Sequence, residues 1–109
     1  MGLLTAITRI SYLVNTALDL EYKIQLITQT KSTLAASNSD LMNVGTDYDP
    51  ESPVSKMLAQ RMAKLKVLDQ KLDNQLAQYK LQLAMVETEK ESCMKMLEKH
   101  IKSSFSYGF

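Results

Sequence analysis

The chain has 109 residues, of which 45% are apolar and 23% charged, and it contains three Gly, two Pro and one Cys. This length supports one domain, and the near balance of 13 Lys and Arg against 12 Asp and Glu, with both signs interspersed, argues against a nucleic-acid-binding surface. Residues 3–44 and 54–107 contain no Gly or Pro, and because strands joined by tight turns need such residues, a β-rich fold is excluded.

The first half of the chain carries a seven-residue apolar repeat. The repeat begins at Ala6, and its companion positions, four residues further on, start at Ile10 and turn polar at Lys31 and Asn38. Such a repeat indicates a helix with one apolar stripe that packs as in a coiled coil. We predict a helix over about residues 3–44; the alternative is a three-helix arrangement broken near Ser37 and Asn38. The repeat consists of Ala6, Leu13, Leu20, Ile27, Leu34 and Leu41.

A turn is predicted over residues 45–53. Gly45 suits a helix C-cap, where a left-handed backbone costs glycine little. A side-chain acceptor followed by proline is typical of a helix start, and either Asp49 with Pro50 or Ser52 with Pro53 fits.

The second half repeats the pattern, which predicts a helix over about residues 53–103. A connection this short favours antiparallel neighbours. The predicted fold is therefore all-α: one domain over residues 1–109, built as an elongated antiparallel helical hairpin with a coiled-coil-like seam. Its second helix contributes two sets of positions, Leu58, Leu65, Leu72, Tyr79, Val86 and Cys93, with the companions Met62, Asp69, Leu76, Leu83, Lys90 and Leu97.

Apolar residues also lie off the seam. On the first helix they form a second stripe of Leu4, Ile7, Val14, Leu18 and Tyr22. A helix that is apolar on more than one face is normally covered by more than one neighbour, so this stripe predicts a contact between copies of the chain. The alternative is a wide intramolecular core.

The end of the chain, residues 104–109, is predicted to be an aromatic tail beyond the last helical heptad. Phe105, Tyr107 and Phe109 supply three rings that we expect to dock on another subunit or on the hairpin itself. Ile101, at the end of the second helix, is assigned to the same assembly interface.

No residue pattern predicts catalysis, a cofactor site or a metal site. Cys93 and His100 lie seven residues apart on one helix face, with Glu89 nearby, but a structural zinc site needs four ligands. The carboxylates at Asp47 and Asp49 resemble the start of a calcium loop whose later ligands are missing. We therefore expect the chain not to be an enzyme.

The N-terminal segment predicts neither a cleaved signal peptide nor a membrane span. Arg9 interrupts its apolar run, no basic region precedes it, and polar residues are too frequent for a span of about 20 apolar residues. We expect synthesis in the cytoplasm, followed either by residence there or by export without a cleaved signal.

The Pro-x-x-Pro turn, Pro50-Glu51-Ser52-Pro53, between two helices resembles the needle-subunit proteins of type III secretion systems. The resemblance implies that Pro50 and Pro53 form the turn and that the second helix with its tail, including Ile101 and Phe105, packs into a helical filament. It also implies export without a cleaved signal peptide.

Two functions remain at this stage. The first is a structural protein that self-assembles into a filament or an oligomeric bundle through its second apolar stripe and the aromatic tail. The alternative is a coiled-coil adaptor, or a small secretion chaperone, that uses the same stripe to hold a helix of another protein.

Overall fold

The computed structural model describes the backbone of residues 2–108 and the side chains of residues 2–104. Two helices account for most of this part of the chain: α1 spans Gly2–Gly45, with 44 residues, and α2 spans Pro53–Gly108, with 56 residues. Residues 2–108 contain no strand. The all-α helical hairpin is confirmed.

The chain divides into two compact units, and each contains part of both helices. The end unit combines Met1–Lys23 with Tyr79–Phe109, and the turn unit is Ile24–Gln78. In the end unit Gly2 lies against His100 while Lys23 lies over the ring of Tyr79, so the two helices run antiparallel.

The seam follows the seven-residue repeat. Among the described side chains, every repeat and companion position of both helices is buried or half-buried, including the polar residues Lys31, Asn38 and Asp69. Leu13 is only 1% exposed. The seam residues of α2 are half-buried, whereas all the fully buried apolar residues of the described part lie on α1. These buried residues are Ala6, Leu13, Ala17, Leu20 and Ile27.

The turn is ordered by local hydrogen bonds. The Ser52 amide donates to the Asp49 carbonyl at 2.9 Å, which closes a turn with Pro50 at its second position. The Ser52 hydroxyl then accepts from the Ser55 amide at 3.2 Å, so Ser52 is the N-cap of α2 and Pro53 is its first residue. Of the two helix starts that the sequence allowed, the second is correct.

Gly45 does not act as a left-handed cap. It is the last residue of α1, and none of the described glycines has a positive φ. Instead, the Asp47 amide donates to the Val44 carbonyl at 3.1 Å and the Thr46 hydroxyl to the Asn43 carbonyl at 2.7 Å. These bonds satisfy the final carbonyls of α1 without a left-handed residue, so the predicted cap conformation is wrong.

Two predictions, a possible break in the first helix and a separate tail after the second, differ from the observed helices. α1 is unbroken through Ser37 and Asn38, which rules out the three-helix alternative. α2 continues to Gly108, so the separate tail at residues 104–108 is also wrong. The aromatic and serine residues of this segment have lower helix propensity than alanine, but no Gly or Pro occurs between Pro53 and Gly108 to end the helix earlier. Phe109 lies outside the described residues.

Candidate functional site

The predicted assembly stripe of α1 lies on its surface. Leu4 is 78% exposed, Leu18 58% and Tyr22 64%, while Ile7 and Val14 are exposed to a smaller extent. With 3.6 residues per turn, these five side chains fall within about 60° of Ser11 around the helix axis. Together with three polar residues they form what we call the α1 outer face: Leu4, Ile7, Thr8, Ser11, Val14, Asn15, Leu18 and Tyr22.

The α1 outer face carries no charge. Its polar groups are three hydroxyls, from Thr8, Ser11 and Tyr22, and the amide of Asn15. The Thr8 hydroxyl donates to the Leu4 carbonyl of the preceding turn at 2.9 Å, so its donor is already satisfied and its methyl group remains to contact a neighbour. The face therefore offers apolar contact at a low desolvation cost.

The one charged residue between residues 2 and 18, Arg9, is engaged elsewhere. Its Nε donates to Glu89 Oε1 at 2.9 Å, and its Nη2 forms an ion pair with the same oxygen. The Arg9 guanidinium also lies 5.2 Å from the centre of the Tyr12 ring. The hydrogen bond that Arg9 donates to Glu89 raises the pKa of Arg9 above its ordinary value. This charge is thus held against α2, on the side of α1 away from the outer face.

The pair of Arg9 with Glu89 was not predicted from the sequence. Both residues immediately precede a seam companion position, Ile10 and Lys90 respectively, and opposite charges flanking a seam are the pattern that signals such pairs. The pair is about half exposed, so it contributes little to stability. Its importance lies in where it directs the Arg9 side chain.

The predicted interface residues of α2 are only partly described. Ile101 is 40% exposed and belongs to the end unit. Phe105 and Tyr107 lie within α2, but their side chains lie outside the described part, as does Phe109 altogether. A further group of exposed apolar residues on the α2 portion of the end unit consists of Leu81, Met85, Met94 and Met96.

The turn residues have a structural role. Pro50 and Pro53 bound a short segment that reverses the chain, and Gly45 ends α1 with its Cα facing Leu58, 3.9 Å from where a Cβ would lie. The surrounding hydroxyl and carboxylate groups of Asp49 and Ser52 are committed to backbone amides. These contacts explain the turn without a ligand.

The thiol of Cys93 and the imidazole of His100 both lie at seam positions of α2. Cys93 and His100 are half-buried, and a Cβ at Gly2 would lie 2.7 Å from His100 Nδ1, so the imidazole packs directly against the first turn of α1. Within the described residues no three His, Cys, Asp or Glu side chains are grouped so that they could bind a metal ion.

A groove of about 440 Å³ opens in the turn unit, where the small side chains of Ala35 and Ala63 leave space between the helices. Asn38, Lys66 and Asp69 supply its polar groups. No Ser, Thr, Cys or His side chain lines this groove.

None of the helices in the described part has an apolar stretch sufficient to cross a membrane. Comparison of the chain with protein-family models, with curated proteins and with solved structures found no match. The α1 outer face is therefore the feature on which a functional argument can be built.

Proposed function

We propose that the protein is a non-enzymatic structural protein that self-associates through the α1 outer face. The observation that carries this proposal is a row of exposed apolar side chains, Leu4, Ile7, Val14 and Leu18, next to a seam whose positions are already filled. Intramolecular packing covers the seam stripe and leaves this second stripe in water. Contiguous exposed apolar surface of this kind marks an interaction site.

The energetic gain from covering the face is substantial. Full burial of one Leu, Ile or Val side chain is worth roughly 1.5–3 kcal/mol. Four such residues would supply several kcal/mol per chain, and no charge on the face would have to be desolvated. The Thr8 hydroxyl would keep its hydrogen bond to Leu4.

A second copy is the partner that the chemistry of the face fits best. Specific partners of another sequence are commonly selected by charge complementarity, and the α1 outer face has no charge to complement. An uncharged face is compatible with an identical uncharged face. The adaptor function, in which the same face holds a helix of another protein, becomes the outcome if the chain is a monomer.

A filament is the form of assembly that the resemblance to needle subunits favours. Open filaments need two different contact surfaces on each subunit. The α1 outer face supplies one, and the exposed α2 residues Leu81 and Met85, in the same unit, supply another. In this proposal the subunit would be exported without a cleaved signal peptide, as in the proteins that it resembles.

The test is a Leu18→Glu variant, measured by light scattering over a concentration series and by circular dichroism. Because Leu18 is 58% exposed and off the seam, we expect helicity to be unchanged while the assembled species is lost. The matched control is Leu68→Glu, an exposed leucine of the turn unit, which should still assemble.

Two results would overturn the proposal. A wild-type protein that remains monomeric across the series would favour the adaptor function instead. Loss of helicity in Leu18→Glu would place Leu18 in the intramolecular core. Negative-stain electron microscopy of the wild type then distinguishes a filament from a closed oligomer.

A further inference from the structure

The turn unit separates its charges along the chain. Residues 32–55 carry four carboxylates and no Lys or Arg, whereas residues 56–71 carry five Lys and Arg and one carboxylate. That carboxylate, Asp69, is already paired with Lys31. Most of the negative charge lies in a segment that we call the acidic turn: Asp47, Asp49 and Glu51.

Part of the positive charge lies on one side of α2. Three cations and two apolar residues fall within about 80° of each other around the helix axis, at 100° per residue. All five are exposed, so charged and apolar groups alternate along a surface that faces water. We call this surface the basic flank: Met57, Arg61, Lys64, Leu68 and Lys71.

A shallow groove of about 490 Å³ lies between the basic flank and α1. Arg61 and Lys64 line it together with Asp40, which forms no ion pair with either cation within the described residues. A single carboxylate offsets only part of the charge of two cations. The groove therefore suits an acidic segment that also carries an apolar side chain. Its apolar lining consists of Leu41, Val44 and Leu65.

The acidic turn has the complementary chemistry. Tyr48 lies between two of its carboxylates and is 46% exposed, so its ring offers apolar contact area beside the charges. Residues 47–51 span at most about 14 Å, and the basic flank extends about 15 Å from Arg61 to Lys71. Among the described side chains, no ion pair includes a carboxylate of the acidic turn or a cation of the basic flank. One chain thus supplies two surfaces of matching size and opposite charge.

Resting on the proposed function, we infer that the acidic turn of one copy docks on the basic flank of a second copy, with Tyr48 in the groove. The contact joins two different surfaces, so each docked pair keeps one acidic turn and one basic flank for further copies. Charge complementarity also orients the two copies, which the uncharged α1 outer face does not do. The inference deepens the proposal by adding a directional contact to the apolar one.

The first test is the salt dependence of assembly, measured by light scattering. Raising NaCl from about 0.1 M to about 1 M shortens the range of charge interactions from about 10 Å to about 3 Å. We expect the large assemblies of the wild type to be lost, while small species held by the α1 outer face remain. Assembly that is unchanged or stronger at high salt would overturn the inference and leave the proposed function intact.

The second test exchanges charges at low salt, with circular dichroism to verify folding. Arg61→Glu with Lys64→Glu makes the flank acidic, and Asp47→Lys with Glu51→Lys makes the turn basic. Each double variant alone should lose the large assemblies, because like charges then meet. An equimolar mixture should regain them, because each variant supplies the surface that complements the other. Asp49 is left unchanged since its carboxylate accepts a hydrogen bond from the Glu51 amide.

The matched control is Lys66→Glu with Lys80→Glu, which makes the same change of charge on the other side of α2. This variant should assemble like the wild type, and an equal loss would reveal an effect of net charge and overturn the inference. A flank variant that still assembles, or a mixture that does not recover, would overturn it too. Where Glu51→Lys lowers helicity, Asp47→Lys alone takes its place. A wild-type protein that is monomeric at low salt would overturn the proposed function as well.

Discussion

Leu13 and Leu18 are five residues apart on one helix, yet they have opposite environments. Leu13 is 1% exposed and Leu18 is 58% exposed. At 100° per residue the two side chains lie about 140° apart around the axis, so only one of them can face α2. Residue type alone does not distinguish them, and position within the heptad does.

Ser52 shows how a single hydroxyl sets the start of a helix. Its oxygen accepts a hydrogen bond from the Ser55 amide at 3.2 Å, one of the free amides at the beginning of α2. Ser52→Ala should lower the free energy of unfolding by about 1 kcal/mol, because that amide loses its partner. Urea unfolding at fixed protein concentration measures the change.

The matched control for this change is Ser32→Ala, in the exposed middle of α1. There alanine is the better helix former, so stability should be unchanged or slightly higher. Equal effects of the two substitutions would contradict the assignment of Ser52 as the N-cap.

At the scale of elements, the two helices differ in where their charged residues lie. The exposed surface of α1 over residues 2–18 is apolar or uncharged except for Arg9, whereas charged residues are distributed along the whole of α2. Charge on α2 keeps that helix hydrated, whereas residues 2–18 of α1, with Arg9 as their single charge, are left ready for contact.

The seam itself contains one charged layer. The Lys31 ammonium, at a seam position of α1, forms ion pairs with Asp73 and, at 3.4 Å, with Asp69 of α2. The hydrogen bond that Lys31 donates to Asp73, reinforced by the charge of Asp69, raises the pKa of Lys31 above its ordinary value. Pairing thus removes the penalty that an unpaired lysine would bring to the seam.

This raised pKa predicts a dependence of stability on alkaline pH. Because the pKa is higher in the folded chain, the stabilisation is complete below the unfolded value of about 10.4 and is lost as pH rises through the folded value. Lys31→Arg, which stays charged, should lose less stability than the wild type over this range. Urea unfolding at pH values on both sides of this range measures the difference.

The other ionisable groups are common to both proteins, so the difference between the two curves isolates the contribution of Lys31. Lys64→Arg, an exposed lysine outside the seam, serves as the control and should follow the wild-type curve. Parallel curves for Lys31→Arg and the wild type would show that the Lys31 pairs contribute nothing.

The heptad count predicted the fold because a seven-residue period determines which face of a helix is covered, whatever residue occupies a position. It therefore located the half-buried polar residues Lys31 and Asp69 along with the leucines. The partners across the seam could not be predicted in the same way. The pairing of Arg9 with Glu89 depends on the register between the helices, which the apolar period of either helix alone does not give.

The helix ends were less predictable for a related reason. Glycine is the residue type that a left-handed cap favours, so Gly45 was predicted to adopt that conformation. The hydrogen bonds that Asp47 and Thr46 donate to the Val44 and Asn43 carbonyls made it unnecessary. At the other end, the apolar period ends before α2 does, because helix continuation needs only the absence of a breaker. The α1 outer face was predictable, and the exposure of its residues agrees with that prediction; its assembly remains a prediction.

At the scale of the whole molecule, folding and association are expected to be linked. The described part of α2 contributes no fully buried apolar residue, so the hairpin gains less from its own core than a globular domain would. A contact that covers the α1 outer face binds the folded state only, and such binding stabilises by mass action.

The midpoint of thermal unfolding should therefore rise with protein concentration. For a dimer, a tenfold increase is worth about 0.7 kcal/mol per chain, or roughly 3–5 °C for a domain of this size. Differential scanning calorimetry over two decades of concentration measures the rise. In Leu18→Glu the midpoint should not depend on protein concentration. A wild-type midpoint that is also independent of concentration would show that folding and association are not linked.

The threonine hydroxyls of α1 have one more consequence. Thr8, Thr16 and Thr28 each donate to the carbonyl four residues earlier, at 2.8–2.9 Å. Of these, Thr8 lies on the α1 outer face, so its hydroxyl keeps the same hydrogen bond whether that face is in water or in contact with a neighbour. At this position a contact between copies can form and separate without breaking that bond, and protein concentration then shifts the association in either direction.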